Sequence, residues 1–137
     1  MQTFVKRVNL IGYYTADQAL LEGSAEALRR LADYGRRATA LATLGLRTPV
    51  NALSHPYDDY LRAIQIRPAD GLVLLEVKER VLEVTGGSAE LSAVAENLLW
   101  FANQPYAAGE HLHIEHYPGH SLLAQQSLPL VVARLPE

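Results

Sequence analysis

Apolar positions along the chain alternate between a spacing of two and a spacing of three to four, and each change of period marks a change of element. Phe4 to Tyr14, "FVKRVNLIGYY", is rich in β-branched and aromatic residues and predicts a strand. Thr15 and Gln18 then stand at capping-box spacing, and Leu28, Leu31, Ala32, Gly35, Ala38 and Ala42 recur at helical spacing. Together they predict one helix, or two collinear pieces, over about residues 16–43, with Gly23 as its weak point and Gly45 as its stop. "YLRAIQIRP" predicts a strand ending before Pro68. "LVLLEVKERVLEVTGG" predicts a hairpin, Leu72–Val77 and Arg80–Thr85, turning at Lys78–Glu79. That turn lacks the Asn-Gly chemistry of a two-residue hairpin, so one long strand is the rival reading. Ser88 predicts an N-cap, and Leu91, Val94, Ala95, Leu98, Leu99 and Ala102 line one face of the helix behind it. "EHLHIEHY" and "LPLVVARL" predict the last two strands.

The two halves share a pattern. Gly23-Ser24-Ala25-Glu26 matches Gly87-Ser88-Ala89-Glu90, and each opens an amphipathic helix. Each helix precedes a loop with a histidine, His55 or His120, and then an apolar strand. The pattern reads as a duplicated strand–helix–strand–strand unit, with pseudo-repeats over 1–68 and 72–137. Helices interspersed with hairpins predict an α+β fold, a mostly antiparallel sheet with two main helices packed on one face.

Length and composition narrow the function classes. The chain has 137 residues, which predicts a single domain over 1–137. It contains no Cys, which excludes disulfides, thiol chemistry and Cys-ligated zinc. The N-terminal "MQTFVKRVNLIGYY" lacks a secretory pattern, and no apolar run approaches the roughly 18 residues needed to span a membrane. A cytoplasmic protein without membrane partners is therefore expected. The net charge is −3, which argues against a nucleic-acid partner.

Four of the five histidines fall between His111 and His120. In a strand, His111, His113 and Glu115 share one face, and Leu112, Ile114 and His116 the other. Same-face neighbours lie roughly 6.5–7 Å apart, close enough for two imidazoles to share a metal ion. "HLHIEH" is similar to the HxHxDH of metallo-β-lactamase-like hydrolases, with Glu115 in place of Asp, and to the HxH…E of cupins. Context opposes both: the hydrolases need a longer chain with further ligands, and a cupin barrel has no place for the preceding helix. A strand with a polar outer face is the simpler reading, with no metal and no cofactor. A metal-binding protein or small metal-dependent hydrolase using His111, His113, Glu115 and His116 or His120 is the alternative.

No other motif assembles a catalytic set. His120 and Ser121 stand side by side, but Leu123 takes the last Gly position of a nucleophile elbow. "TGGSAE" has no P-loop Lys-Ser/Thr pair behind it. Arg29, Arg30, Arg36 and Arg37 are two pairs seven residues apart, a stripe for an acidic partner or for nucleic acid or, more simply, a solvated helix face.

Val81 to Val132 resembles immunity-protein family 32 of bacterial polymorphic toxin systems. The resemblance lies in "VLEVTGGSAELSAVAENLLWFA", "GEHLHIEHYPGH" and "SLPLVV", covering a little over a third of the chain. It implies a small cytosolic protein that binds and silences a cognate toxin without catalysis, and it carries no catalytic residues over. Met1 to Glu79 falls outside the pattern. The expectation is a non-enzymatic binding protein that occludes its toxin. Its contact surface would be His111, His113 and Glu115 first and Arg29, Arg30, Arg36 and Arg37 second. A symmetric homodimer through the same sheet face is a further expectation.

Overall fold

The computed structural model describes residues 6–49, 59–105, 110–119 and 122–135. The elements in order are β1 (Lys6–Arg7), β2 (Leu10–Tyr14), β3 (Ala19–Gly23), α1 (Ala25–Arg36), β4 (Ala42–Gly45), β5 (Asp59–Leu61) and β6 (Ala63–Pro68). They continue with β7 (Leu74–Lys78), β8 (Val81–Gly86), α2 (Ser88–Ala102), β9 (His111–Ile114) and β10 (Leu130–Arg134). The fold is α+β. The strands form two five-stranded sheets, one ordered β1-β4-β6-β8-β7 and the other β5-β2-β3-β10-β9. Most pairings are antiparallel; β1–β4, β6–β8 and β3–β10 are parallel.

The two halves traverse the sheets in mirrored order. β2 and β3 pair in one sheet, α1 follows, and β4 and β6 pair in the other. β7 and β8 then pair in the second sheet, α2 follows, and β9 and β10 return to the first. Each sheet thus joins the first pair of one half to the last pair of the other through a parallel contact. Even the inserted segments correspond. β5, between β4 and β6, pairs with β2. Residues 122–128, between β9 and β10, bond to Val73 and Leu75 beside and within β7.

Several sequence expectations are corrected. The helix expected over residues 16–43 is a turn, a strand, a shorter helix and a second strand. Thr15 Oγ1 does accept from the amides of Asp17 (3.0 Å) and Gln18 (3.2 Å), but the bonds close a hairpin turn. Ala19, Leu20 and Leu21 are buried in a central strand, and such an unbroken apolar run has no period that separates strand from helix. The other helix start that the sequence offers, Ser24 just after Gly23, is the N-cap of α1, its Oγ accepting from the Ala27 amide at 3.2 Å. In α2 the N-cap is Gly87, with no side-chain bond, so Ser88 is the first helical residue. Residues 60–68 are not one strand: Arg62 separates β5 from β6, which lie in different sheets. The expected first strand likewise divides into β1 and β2.

The hairpin after Gly71 forms, with its turn at Glu79–Arg80 rather than Lys78–Glu79. Both turn residues have positive φ, 52° and 64°. Side chains hold this strained geometry in place. Arg80 Nε reaches Asp59 Oδ2 at 2.9 Å and its guanidinium lies 4.8 Å from the Tyr60 ring centroid, while Arg62 Nε donates to Glu79 O at 2.9 Å.

One apolar cluster takes Leu21, Val132 and Ile114 from one sheet, Ile64, Leu82 and Leu75 from the other, and Leu28, Leu31, Leu91 and Leu98 from the helices. The helices pack on each other where side chains are small: a Cβ on Gly35 would lie 3.2 Å from that of Ala95. Arg36 Nε and Glu96 Oε1 bridge the two helices at 2.9 Å. No helix among the described residues is long and apolar enough to cross a membrane.

Candidate functional site

β9 is the edge strand of its sheet and pairs with β10 in antiparallel register. Its faces divide as the alternation of residues predicts. Ile114 is buried and Leu112 half-buried against the core, while His111 and His113 stand exposed on the outer side. Glu115 lies past the strand end, exposed, and accepts from the Tyr117 hydroxyl at 3.1 Å. That hydrogen bond, with the negative charge beside it, holds the Tyr117 hydroxyl above the usual tyrosine range. His116 is half-buried, its Nδ1 3.0 Å from Leu123 O. A carbonyl can only accept, so this bond requires the proton on Nδ1. His55, His120 and Ser121 lie outside the described residues. Among the described residues, no three His, Asp or Glu side chains gather to hold a metal ion.

Register extends the histidine face across the whole sheet. One outer row runs Tyr60, Tyr13, Leu20, Val131, His113 from β5 to β9. The next runs Ile11, Glu22, Ala133, His111. Leu20 and Ala133 are buried although they point away from the helices, and Ile11, Tyr13 and Val131 are half-buried. This outer face is therefore apolar at its centre, with histidines along one margin and Tyr60 along the other. Burial pushes the Glu22 carboxyl above the usual carboxylate range, against a smaller downward pull from His111.

The corresponding face of the other sheet is more polar, although Ala63 and Val81, in its row Gly45, Ala63, Val81, Lys78, are buried. Its central row is Thr43, Gln65, Glu83, Glu76. Gln65 Nε2 donates to Thr43 Oγ1 at 3.3 Å, and Lys78 Nζ lies 3.9 Å from both Glu76 and Glu83.

The four arginines do not form one stripe. Arg36 pairs with Glu96, and Arg29 Nη1 reaches Asn103 Oδ1 at 3.5 Å, so both turn toward α2. Arg37, the C-cap residue, pairs with Asp33 at 3.3 Å. Arg30 instead lines a surface cleft of about 260 Å³ together with Arg7 and Arg47. That basic trio is invisible in the sequence, because positions 7, 30 and 47 meet only through α1, β1 and the end of β4.

Trp100 and Phe101 close the second helix beside its apolar stripe, where the sequence alone does not separate a core anchor from an interface one; the cleft that Trp100 lines is what the sequence does not show. A cleft of about 270 Å³ runs along β9, lined by Leu112 to Glu115, by Asn97 and Trp100 of α2, and by Tyr117, Leu122 and Leu123. Trp100 is 59% exposed and Tyr117 51%. Trp100 follows an apolar stripe, and the sequence signal for it was only its position one residue off that stripe. Arg134, at the end of β10, closes α2, its Nη1 donating to Gln104 O, which supplies the positive charge that the last turn of α2 lacks.

No curated protein and no solved structure matches the chain. Residues 81–135, from β8 through α2 and β9 to the end of β10, match the family model of Immunity protein 32, and this stretch carries His111, His113 and the exposed Trp100.

Proposed function

We propose that this protein is a non-enzymatic immunity protein that neutralises a cognate bacterial toxin in the cytoplasm by covering its active site or substrate path. The observation that carries the proposal is the family match over residues 81–135. The exposed Trp100 and Tyr117 beside β9 support it, because aromatic side chains on a surface suit a protein partner. His111, His113 and Glu115 form the first contact region on this reading. Arg29, Arg30, Arg36 and Arg37 form the second, now divided between the α2 side and the Arg7–Arg47 cleft. The partner is a protein rather than nucleic acid or membrane. The same reading takes residues 1–68 and 72–137 as copies of one unit within a single domain.

Co-expression with the toxin encoded beside this gene tests the proposal. Rescue of growth and co-purification are expected. A protein that neither rescues growth nor co-purifies with that toxin is not its immunity protein.

A further inference from the structure

We infer that the free edge of β9 is a strand acceptor: an extended segment of a partner protein pairs with it and seats an apolar side chain in the Trp100 cleft. Three observations carry this. The first is the state of the sheet edges. β4, which corresponds to β9 in the other sheet, has its outer edge covered by β1, with Lys6 opposite Leu44 and Arg7 opposite Gly45. The edge of β2 is covered by β5, and that of β7 is met by residues 122–128. β9 ends its sheet, and among the described residues no strand lies beyond it. The chain enters β7 directly from the turn after β6, so the second half has no counterpart of β1 to lay there.

The second observation is the phase of the backbone. The Arg134 amide donates to Glu110 O at 3.2 Å, in the same register that pairs Val132 with Leu112 and Leu130 with Ile114. Residues in an antiparallel pair alternate between exchanging both bonds and none. Leu112 and Ile114 therefore bond to β10, and His111 and His113 turn their N–H and C=O groups to the open edge. The two exposed imidazoles belong to the residues whose backbone is available for pairing.

The third observation is the cleft itself. An added strand places alternate side chains on alternate faces. Those on the helix side reach a cleft bounded by Trp100, Tyr117, Leu112 and Leu122, and those on the other side lie beside the histidines. Backbone pairing supplies affinity and the cleft supplies specificity. Glu115 at the cleft favours a basic residue next to the apolar anchor. A second copy of this chain fits less well. Four residues of edge extend only about 13 Å, so two such edges paired with each other would form a contact too short to build the roughly 800 Å² per partner of a standard interface.

The inference rests on reading the protein as a binding module, and its test does not require the toxin. A displayed library of short linear peptides is selected on the full chain, and the selected peptides are titrated by calorimetry and by the emission of Trp100, the chain's single tryptophan. Emission should shift to the blue as the cleft fills. His113→Pro removes an amide hydrogen that faces away from β10, so β9 keeps its ladder, and each selected peptide should bind about ten-fold or more weakly. Trp100→Ala, at an exposed site, should weaken binding comparably and carries the test should His113→Pro fail to fold. Peptides whose affinity neither variant changes overturn the inference. So does a selection that yields no binder, or sedimentation showing β9-dependent dimers of the chain alone. A chain that rescues growth but selects no edge-binding peptide keeps the immunity reading and loses this one. Edge-binding peptides without toxin rescue give the reverse.

Discussion

The two sheets are built alike and finished differently. Each joins two antiparallel pairs through one parallel contact, and each lays its inner face on the helices. On the outer side, one presents Thr43, Gln65, Glu83 and Glu76, cross-linked by hydrogen bonds and by Lys78. The other presents Tyr13, Leu20, Val131 and Ala133 between a histidine margin and Tyr60. The outer faces differ in degree: Ala63 and Val81 are buried on the outer side of the more polar sheet, as Leu20 and Ala133 are on that of the other. The edges differ as well. β1 closes the edge of β4, whereas that of β9 ends the sheet beside a cleft lined by the exposed Trp100 and Tyr117.

The sharpest test of the two faces uses adjacent residues of β3. Leu21 points into the core and is 1% exposed. Leu21→Ala should cost about 2–5 kcal/mol, read as a shift in urea midpoint. Leu20→Ala, on the outer face and outside the main apolar cluster though 7% exposed, should cost less stability. Equal stability losses would break the face assignment.

A charge on each outer face comes next. Val131→Lys should lower toxin affinity by about 2 kcal/mol or more with little loss of fold, as for a residue at the centre of an interface. Gln65→Lys on the polar sheet should leave affinity unchanged. The comparison fails if both variants bind equally well or equally badly.

The hairpin turns differ too. β2 and β3 are joined by the Thr15-capped four-residue turn, β7 and β8 by Glu79–Arg80 at positive φ. Asn suits the first position of such a turn, so Glu79→Asn should stabilise by about 0.5–1 kcal/mol, seen as a higher melting temperature. No change would mean that the Arg80 and Arg62 contacts already remove the strain.

The smallest effect concerns Glu22. Its carboxyl is raised by burial, so the folded state holds a proton that the unfolded state gives up as pH rises from the ordinary carboxylate value to the raised one. Stability should fall across that window and stay lower above it. Glu22→Gln should abolish the fall and raise neutral-pH stability by no more than about 0.5 kcal/mol. A melting temperature with the same pH slope in both proteins would assign the cost elsewhere.

What was legible in the sequence follows physical lines. Periodicity identified α2, because Leu91, Ala95, Leu98 and Ala102 repeat over a long span and all are buried. It identified the two faces of β9 for the same reason. It failed at Ala19 to Leu21, where a strand buried on both sides has no polar alternation, and at Arg62, where the chain passes between sheets without a Gly or Pro to mark the step. The arginines looked like one stripe because a helix projection knows nothing of α2, whose Glu96 and Asn103 draw two of them aside.

The sequence by itself determined the α+β class, the second helix, the outward turn of His111 and His113, and the C-terminal family resemblance. All of these depend on contacts close along the chain or on short-range patterns. Tertiary structure alone decided that the strands form two sheets, that one outer face is apolar at its centre, and that the edge of β9 borders a cleft with Trp100. Those properties arise where residues about a hundred positions apart, such as Leu20 and Val131, become neighbours across a parallel pair. No local pattern encodes that register; it is set by which faces must leave water together.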